Sequence, residues 1–136
     1  MAERERIDMT AEEIDAFLRA KDRLFLGLLT AGGAPTGATA GYAYADGALY
    51  FAIGDTAPEL ALLRADNRVC AIVEQVPSYF EIKAVTLHGR AEEVTEPAAR
   101  ARWIASLGPT ASGGAAIFRL PLAGVVSFDF GKIQRR

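Results

Sequence analysis

Asp46-Gly47 stands between two runs of β-type residues, Thr36 to Ala45 and Ala48 to Ile53, and this dipeptide constrains the fold more than any other feature of the chain. A two-residue connection between strands closes in a type I′ turn, and both central residues of that turn must tolerate positive φ. Asp-Gly meets the requirement, so the two runs are expected to form an antiparallel hairpin. The segment before them, Arg23 to Thr30, contains Leu-Phe-Leu-Gly-Leu-Leu. It is apolar at successive positions and so on both faces, as in a strand enclosed from two sides. Ala31-Gly32-Gly33-Ala34 is the turn that leads from it to the hairpin.

Helices are expected on either side. Thr10 and Glu13 have capping-box spacing, and Met9 and Ile14 stand where a hydrophobic staple would place them. With Ile14, Phe17 and Leu18 in one apolar stripe, this predicts a helix from about Ala11 to Ala20. Thr56 and Glu59 repeat the capping-box spacing, and Pro58 fits the first turn, where its missing N–H costs nothing. That second helix should last to about Ala65 and end at Asp66-Asn67. Arg68 to Glu74 then reads as a strand and Gln75 to Ser78 as a loop. Glu81 to Val94 reads as one long strand, with Val85, Leu87, Gly89 and Ala91 on one face and Thr86, His88, Arg90 and Glu92 on the other. Thr95-Glu96-Pro97 caps a third helix ending near Leu107. Gly108 to Ala116 reads as a Gly/Ser/Pro loop, and Val125 to Phe130 as the closing strand. The order is α+β and mostly antiparallel. Several strands apolar on both faces favour a split β-barrel with flanking helices over an open sheet.

A chain of 136 residues, 51% hydrophobic and 24% charged, fits a single globular domain spanning 1–136. The net charge is −2 with both signs interleaved, and no basic patch is present, so nucleic acid is not an expected partner. The charged N-terminus lacks the apolar block of a secretory signal. No apolar run approaches the roughly 18 residues of a bilayer span, so no membrane association is expected. One cysteine, Cys70, cannot form an internal disulfide, which fits a reducing cytoplasm. Its surroundings, Val-Cys-Ala-Ile-Val, read as a core strand holding an inert buried thiol. His88, the only histidine, lies on the polar face of its strand and reads as a surface or interface residue. One Cys and one His supply no recognisable zinc set, and no serine stands in a Gly-x-Ser-x-Gly setting. Tyr79 and Phe80 read as barrel-core or interface aromatics, with stacking on a substrate as the alternative.

An ordered series runs through residues 24–94: Gly33-Ala34-Pro35, Asp46-Gly47-Ala48-Leu49-Tyr50-Phe51, Leu63-Arg64-Ala65-Asp66-Asn67-Arg68-Val69 and His88-Gly89-Arg90-Ala91-Glu92. In this order and spacing it resembles the pyridoxamine-phosphate-oxidase-like family of flavin-binding split barrels. The resemblance implies a homodimer that holds FMN, or a related deazaflavin coenzyme, in two clefts at the subunit interface and performs redox chemistry on a small molecule. The second strand is compatible with such a ligand. Gly37, Thr39, Gly41 and Ala43 share one face, and Ala38, Ala40, Tyr42 and Tyr44 the other. Glycine weakens a strand unless something approaches the backbone closely. A planar ring would supply that reason, as would a tight barrel bend or a packed helix. Thr39, Ala40 and Gly41 are therefore candidate cofactor contacts.

The family usually grips the flavin phosphate with a Thr or Ser two residues past the third strand's aromatic, then with Ser-Arg-Lys at the next helix. Here Ile53, Ala57, Pro58 and Glu59 stand at those positions. A helix N-terminus attracts phosphate through its free N–H groups, but Glu59, with Thr56, is expected to turn back onto them as a cap. Two unit charges ~5 Å apart at an effective dielectric of ~20 repel by about 3 kcal/mol, so Glu59 also disfavours an anion. Thr56 could contribute a hydroxyl after a small shift, and Lys83 or Arg90 a charge from another strand. Ile53, Thr56, Ala57, Glu59 and Lys83 thus complete the candidate cofactor positions. Two functions remain open: a flavin- or deazaflavin-dependent oxidoreductase, or a split barrel without a cofactor that serves as a ligand-binding module. A haem-binding branch exists among split barrels, which leaves axial ligation by His88 as a further alternative.

Overall fold

The computed structural model describes residues 7–78, 81–108, 111 and 114–134; Tyr79 and Phe80 lie outside them. The expected capping box is formed: Glu13 N–H donates to Thr10 Oγ1 at 3.2 Å and Thr10 N–H to Glu13 Oε1 at 3.0 Å. It starts α1 (Ala11–Ala20). Strands β1 (Arg23–Leu29) and β2 (Pro35–Ala45) pair antiparallel from Arg23↔Gly41 to Leu29↔Pro35. Asp46 and Gly47, at φ 54° and 70°, then turn the chain into β3 (Ala48–Ile53) as a type I′ hairpin requires. The remaining elements are α2 (Pro58–Ala65), β4 (Arg68–Gln75), β5 (Lys83–Arg90), β6 (Glu92–Glu93), α3 (Pro97–Leu107), β7 (Ala116–Pro121), β8 (Val126–Asp129) and α4 (Gly131–Gln134).

All strand pairs are antiparallel, in the order β6-β7-β3-β2-β1-β4-β5-β8. β2 is the hinge of this sheet, pairing Pro35 to Gly41 with β1 and Tyr42 to Ala45 with β3. Because β5 and β6 follow each other in the chain, the sheet curls back on itself as a split barrel. The contact is close: a Cβ on Gly89 of β5 would stand 3.3 Å from the Leu120 side chain of β7.

Two expectations need correction. Glu81 to Val94 is not one strand. Ala91 N–H donates to the Asn67 carbonyl at 2.8 Å and Asn67 Nδ2 to the Ala91 carbonyl at 3.1 Å. These bonds take Ala91 out of the ladder, and Glu92 and Glu93 then pair with β7, whereas β5 pairs with β4. The second correction is β7 itself, which follows the segment read as a loop. It is a central strand between β3 and β6, with Ala116, Ile117, Phe118 and Leu120 all buried, so it lacks the polar alternation that marks a half-exposed strand.

The barrel interior is filled by Leu24, Leu26 and Leu28 of β1 with Phe51, Val73, Val85, Leu87, Phe118 and Leu120. α1 adds Phe17 and Leu18, anchored by the Tyr42 hydroxyl donating to the Leu18 carbonyl at 2.8 Å, and α2 adds Leu60 and Leu63. α3 lies on the outside of β3. Trp103 stacks on Tyr50 with ring centroids 3.7 Å apart, and Ala48, Ala52, Leu107, Ala111, Ala115 and Ile117 complete this second cluster.

Candidate functional site

The expectation that Arg23 to Thr30 is enclosed from two sides needs correction, because β3 is enclosed in that way and β1 is not. Every residue of β3 is buried, because the barrel core takes one face and α3 the other. In β1 only Leu24, Leu26 and Leu28 are buried, and Phe25 on the opposite face is 49% exposed. No described helix covers that face. Apolar side chains left uncovered on this face make it the candidate binding surface.

The register orders this face into rows. Thr39, Phe25, Ile72, Thr86 and Val126 lie side by side across β2, β1, β4, β5 and β8, and Val126 is 61% exposed. The next row is Gly37, Gly27, Cys70 and His88. Where the two glycines face each other the surface dips into a shallow depression of about 400 Å³, bounded by Phe25, Thr39, Cys70 and Ile72. That volume lies within the range of small-molecule sites. The chain's own packing does not demand these glycines. A Cβ on Gly27 would meet nothing nearer than 3.6 Å, and one on Gly37 nothing nearer than 3.4 Å, both ordinary contacts, and neither residue has positive φ.

Cys70 was expected in the core. Alternation instead buries Val69, Ala71 and Val73 and turns Cys70 outward to line the depression, half-buried. Burial pushes its thiol pKa up, which disfavours the thiolate. His88 is exposed beside it, as a surface or interface residue should be. A second hollow of about 390 Å³ lies between the β1–β2 turn and the end of α2. Its ionic groups, Asp66 and Arg68, are paired at 2.6 Å, and this pairing holds the Asp66 carboxyl down at about 2.

The remaining candidates are spread over three regions. Thr39 is exposed at the depression, and Gly41 is buried beside Arg23 in the next row. Ala40 and Ile53 point into the barrel core. Thr56, Ala57 and Glu59 stand at the entry to α2, where the expected capping box does not form. Ala57 is the N-cap, at φ −71° and ψ 135°, and no side chain caps the helix. Pro58 is the cause: it restricts the residue before it to extended backbone, so the helix can begin only at Pro58 itself. Glu59 therefore remains as a carboxylate in the first turn, and Asp55 lies close to Gly114 across the neighbouring loop. Lys83, at the head of β5, approaches buried Asp129 at 3.9 Å.

Sequence reasoning missed Arg23, Phe25, Gly27 and Ile72. Their signal was the phase opposite to Leu24, Leu26 and Leu28, which becomes informative only once β3 is seen covered and β1 bare.

Residues 10–131 match the pyridoxamine 5'-phosphate oxidase family. The chain belongs to that family. Solved structures agree on the fold. The conserved hypothetical protein Rv2991 of Mycobacterium tuberculosis is 22% identical, with a TM-score of 0.86 over 100% of this chain and 94% of its own. A FAD-binding protein of Mesorhizobium loti is 24% identical (TM-score 0.74, 88% and 94% covered), and HutZ, the haem storage protein of Vibrio cholerae, is 20% identical (TM-score 0.73, 89% and 97% covered). No curated protein matches the chain. Within the pyridoxamine 5'-phosphate oxidase family fold, no helix among the described residues is long and apolar enough to cross a membrane.

Proposed function

We propose that this protein is a cytoplasmic, homodimeric oxidoreductase that takes FMN or a deazaflavin coenzyme against the outer face of β1, β2 and β4 and acts on a small molecule. The observation that carries this reading is the facing pair Gly27 and Gly37. Their missing side chains serve nothing in the chain's own packing, and they floor an apolar hollow of about 400 Å³ in a member of this family. No helix among the described residues covers the small-residue face of β2 at Gly37, so a ligand is the better reason for its glycines.

A planar ring can lie on the glycine floor at van der Waals distance, flanked by Phe25 and Ile72, with the Thr39 hydroxyl at its edge. A bound flavin supplies the hydride chemistry, while the protein orients it and sets its surroundings. Burial raises the Cys70 thiol pKa, which favours the neutral thiol at this face. A second copy of the chain laid over Phe25, Ile72 and Val126 would bury the exposed row and exclude water from the ring. The anionic end of the cofactor does not fit the α2 entry, where Ile53 is buried, Ala57 has no donor side chain and Glu59 repels.

Titration of the protein into FMN, read by flavin fluorescence, tests this reading together with the solution mass. We expect saturable quenching and a mass twice the 14.5 kDa of the chain. Unchanged fluorescence at all protein concentrations would favour a cofactor-free binding module instead, the reading to which the residues at the α2 entry point.

A further inference from the structure

We infer that Arg23, with Thr39, forms the anion-binding end of the β1–β2–β4 depression and grips the phosphate of a planar ligand seated there. The inference rests on the flavin reading above and supplies the anionic grip that the α2 entry lacks. Arg23 lies two residues before Phe25 on the same face of β1, in the row beside Gly41. Its guanidinium leans along the sheet toward the depression, where Nη2 donates to Thr39 Oγ1 at 3.5 Å. Both residues are exposed, so their remaining hydrogen-bonding capacity is available to a ligand.

Several other cations are engaged elsewhere. Arg19, Arg64, Arg68 and Arg119 are each within 4.0 Å of a carboxylate, respectively Asp15, Glu93, Asp66 and Glu92. Arg90 donates to Asn67 at 3.0 Å, and Lys83 faces Asp129. Arg23 has no carboxylate within that range among the described residues. A guanidinium with no carboxylate partner among the described residues, held by Thr39 beside an apolar hollow, suits a ligand with an aromatic body and a phosphate tail, because its planar fork matches phosphate oxygens. The geometry also orients such a ligand. The tail would lie at the Arg23–Gly41 row and the ring on the glycine pair, flanked by Phe25, with Cys70 and then His88 continuing the ring's row across β4 and β5.

FMN and riboflavin differ by the phosphate alone, so their relative affinities read the anion grip directly by fluorescence quenching, without any assay of turnover. We expect the wild-type protein to bind FMN at least about tenfold more tightly than riboflavin, the scale of one charge-assisted phosphate contact. Arg23→Ala should bring the two within about threefold while leaving riboflavin affinity unchanged, and Arg23→Lys should retain part of the preference. An unchanged preference in Arg23→Ala would overturn the inference. So would a tenfold gain in FMN affinity on Glu59→Lys with Ala57→Ser, since that would place the phosphate at α2. If the wild-type protein binds both flavins equally, the flavin reading stands and this inference fails. If it binds neither, the flavin reading fails and this inference falls with it.

Discussion

Replacing Gly37 with valine separates the two reasons a glycine can sit in a strand. The added Cβ would stand 3.4 Å from the Leu26 carbonyl, an ordinary contact, and Gly37 is exposed. Glycine inside a strand costs roughly 0.5–1 kcal/mol relative to alanine, and valine is favoured further on a pleated surface. Gly37→Val should therefore leave the fold as stable or raise its stability by about 0.5–1 kcal/mol. With a urea m-value of roughly 2 kcal/mol/M, the unfolding midpoint would rise by up to about 0.5 M. Trp103, the only tryptophan and 5% exposed, reports that transition by fluorescence. The same side chain stands where a planar ring would lie. Carbon atoms pack at about 3.5–4.0 Å, so valine would lift the ring by about 2 Å from the glycine floor, and we expect FMN to bind at least tenfold more weakly. A variant that binds FMN as the wild type does would refute the placement of the ring. A variant destabilised by more than about 1 kcal/mol would refute the claim that the glycine is unnecessary to the chain's own packing.

Gly124→Ala should behave in the opposite way: at φ +57°, with a Cβ 3.0 Å from the His88 carbonyl, it should lose about 2–4 kcal/mol. Gly33→Ala, also at positive φ but with nothing within 4 Å, should lose only about 1–2 kcal/mol; equal urea midpoints for the two would refute the close approach. Trp103→Ala removes the ring stacked on Tyr50 and should cost about 3–5 kcal/mol, measured by circular dichroism on heating. Glu13 is held down at about 2, against 4.5 ordinarily, first by its hydrogen bond from Lys132. Its stabilisation is therefore present above pH 4.5 and lost as pH falls toward 2. The pair is partly exposed, so the effect should stay under about 1 kcal/mol, and Lys132→Met should flatten that part of the stability–pH profile. Phe25→Lys, placing a charge on the exposed row, should halve the solution mass by light scattering; a mass unchanged at twice the chain would move the dimer contact elsewhere.

The parts of the fold legible in the sequence were those decided by neighbours in the chain. The Asp46-Gly47 turn and the Thr10–Glu13 box depend on a few adjacent residues, and both form as expected. The Thr56–Glu59 box had the same spacing and failed, because Pro58 fixes Ala57 as the cap. Strand β7 was hidden because burial on both sides leaves no alternation to read. The break at Ala91 was hidden because it depends on Asn67, 24 residues away. At the candidate site, Thr39 was legible through the small residues of β2. Phe25 and Cys70 were not, since an apolar run does not say which of its faces will stay uncovered. That distinction appears only when α3 covers β3 and leaves β1 bare.

The absorption spectrum of the protein mixed with FMN and then desalted tests the flavin reading most directly. We expect a retained flavin band near one equivalent per chain, lost in Gly37→Val and weakened in Arg23→Ala. Protein that emerges colourless, with all the FMN in the small-molecule fraction, would contradict it.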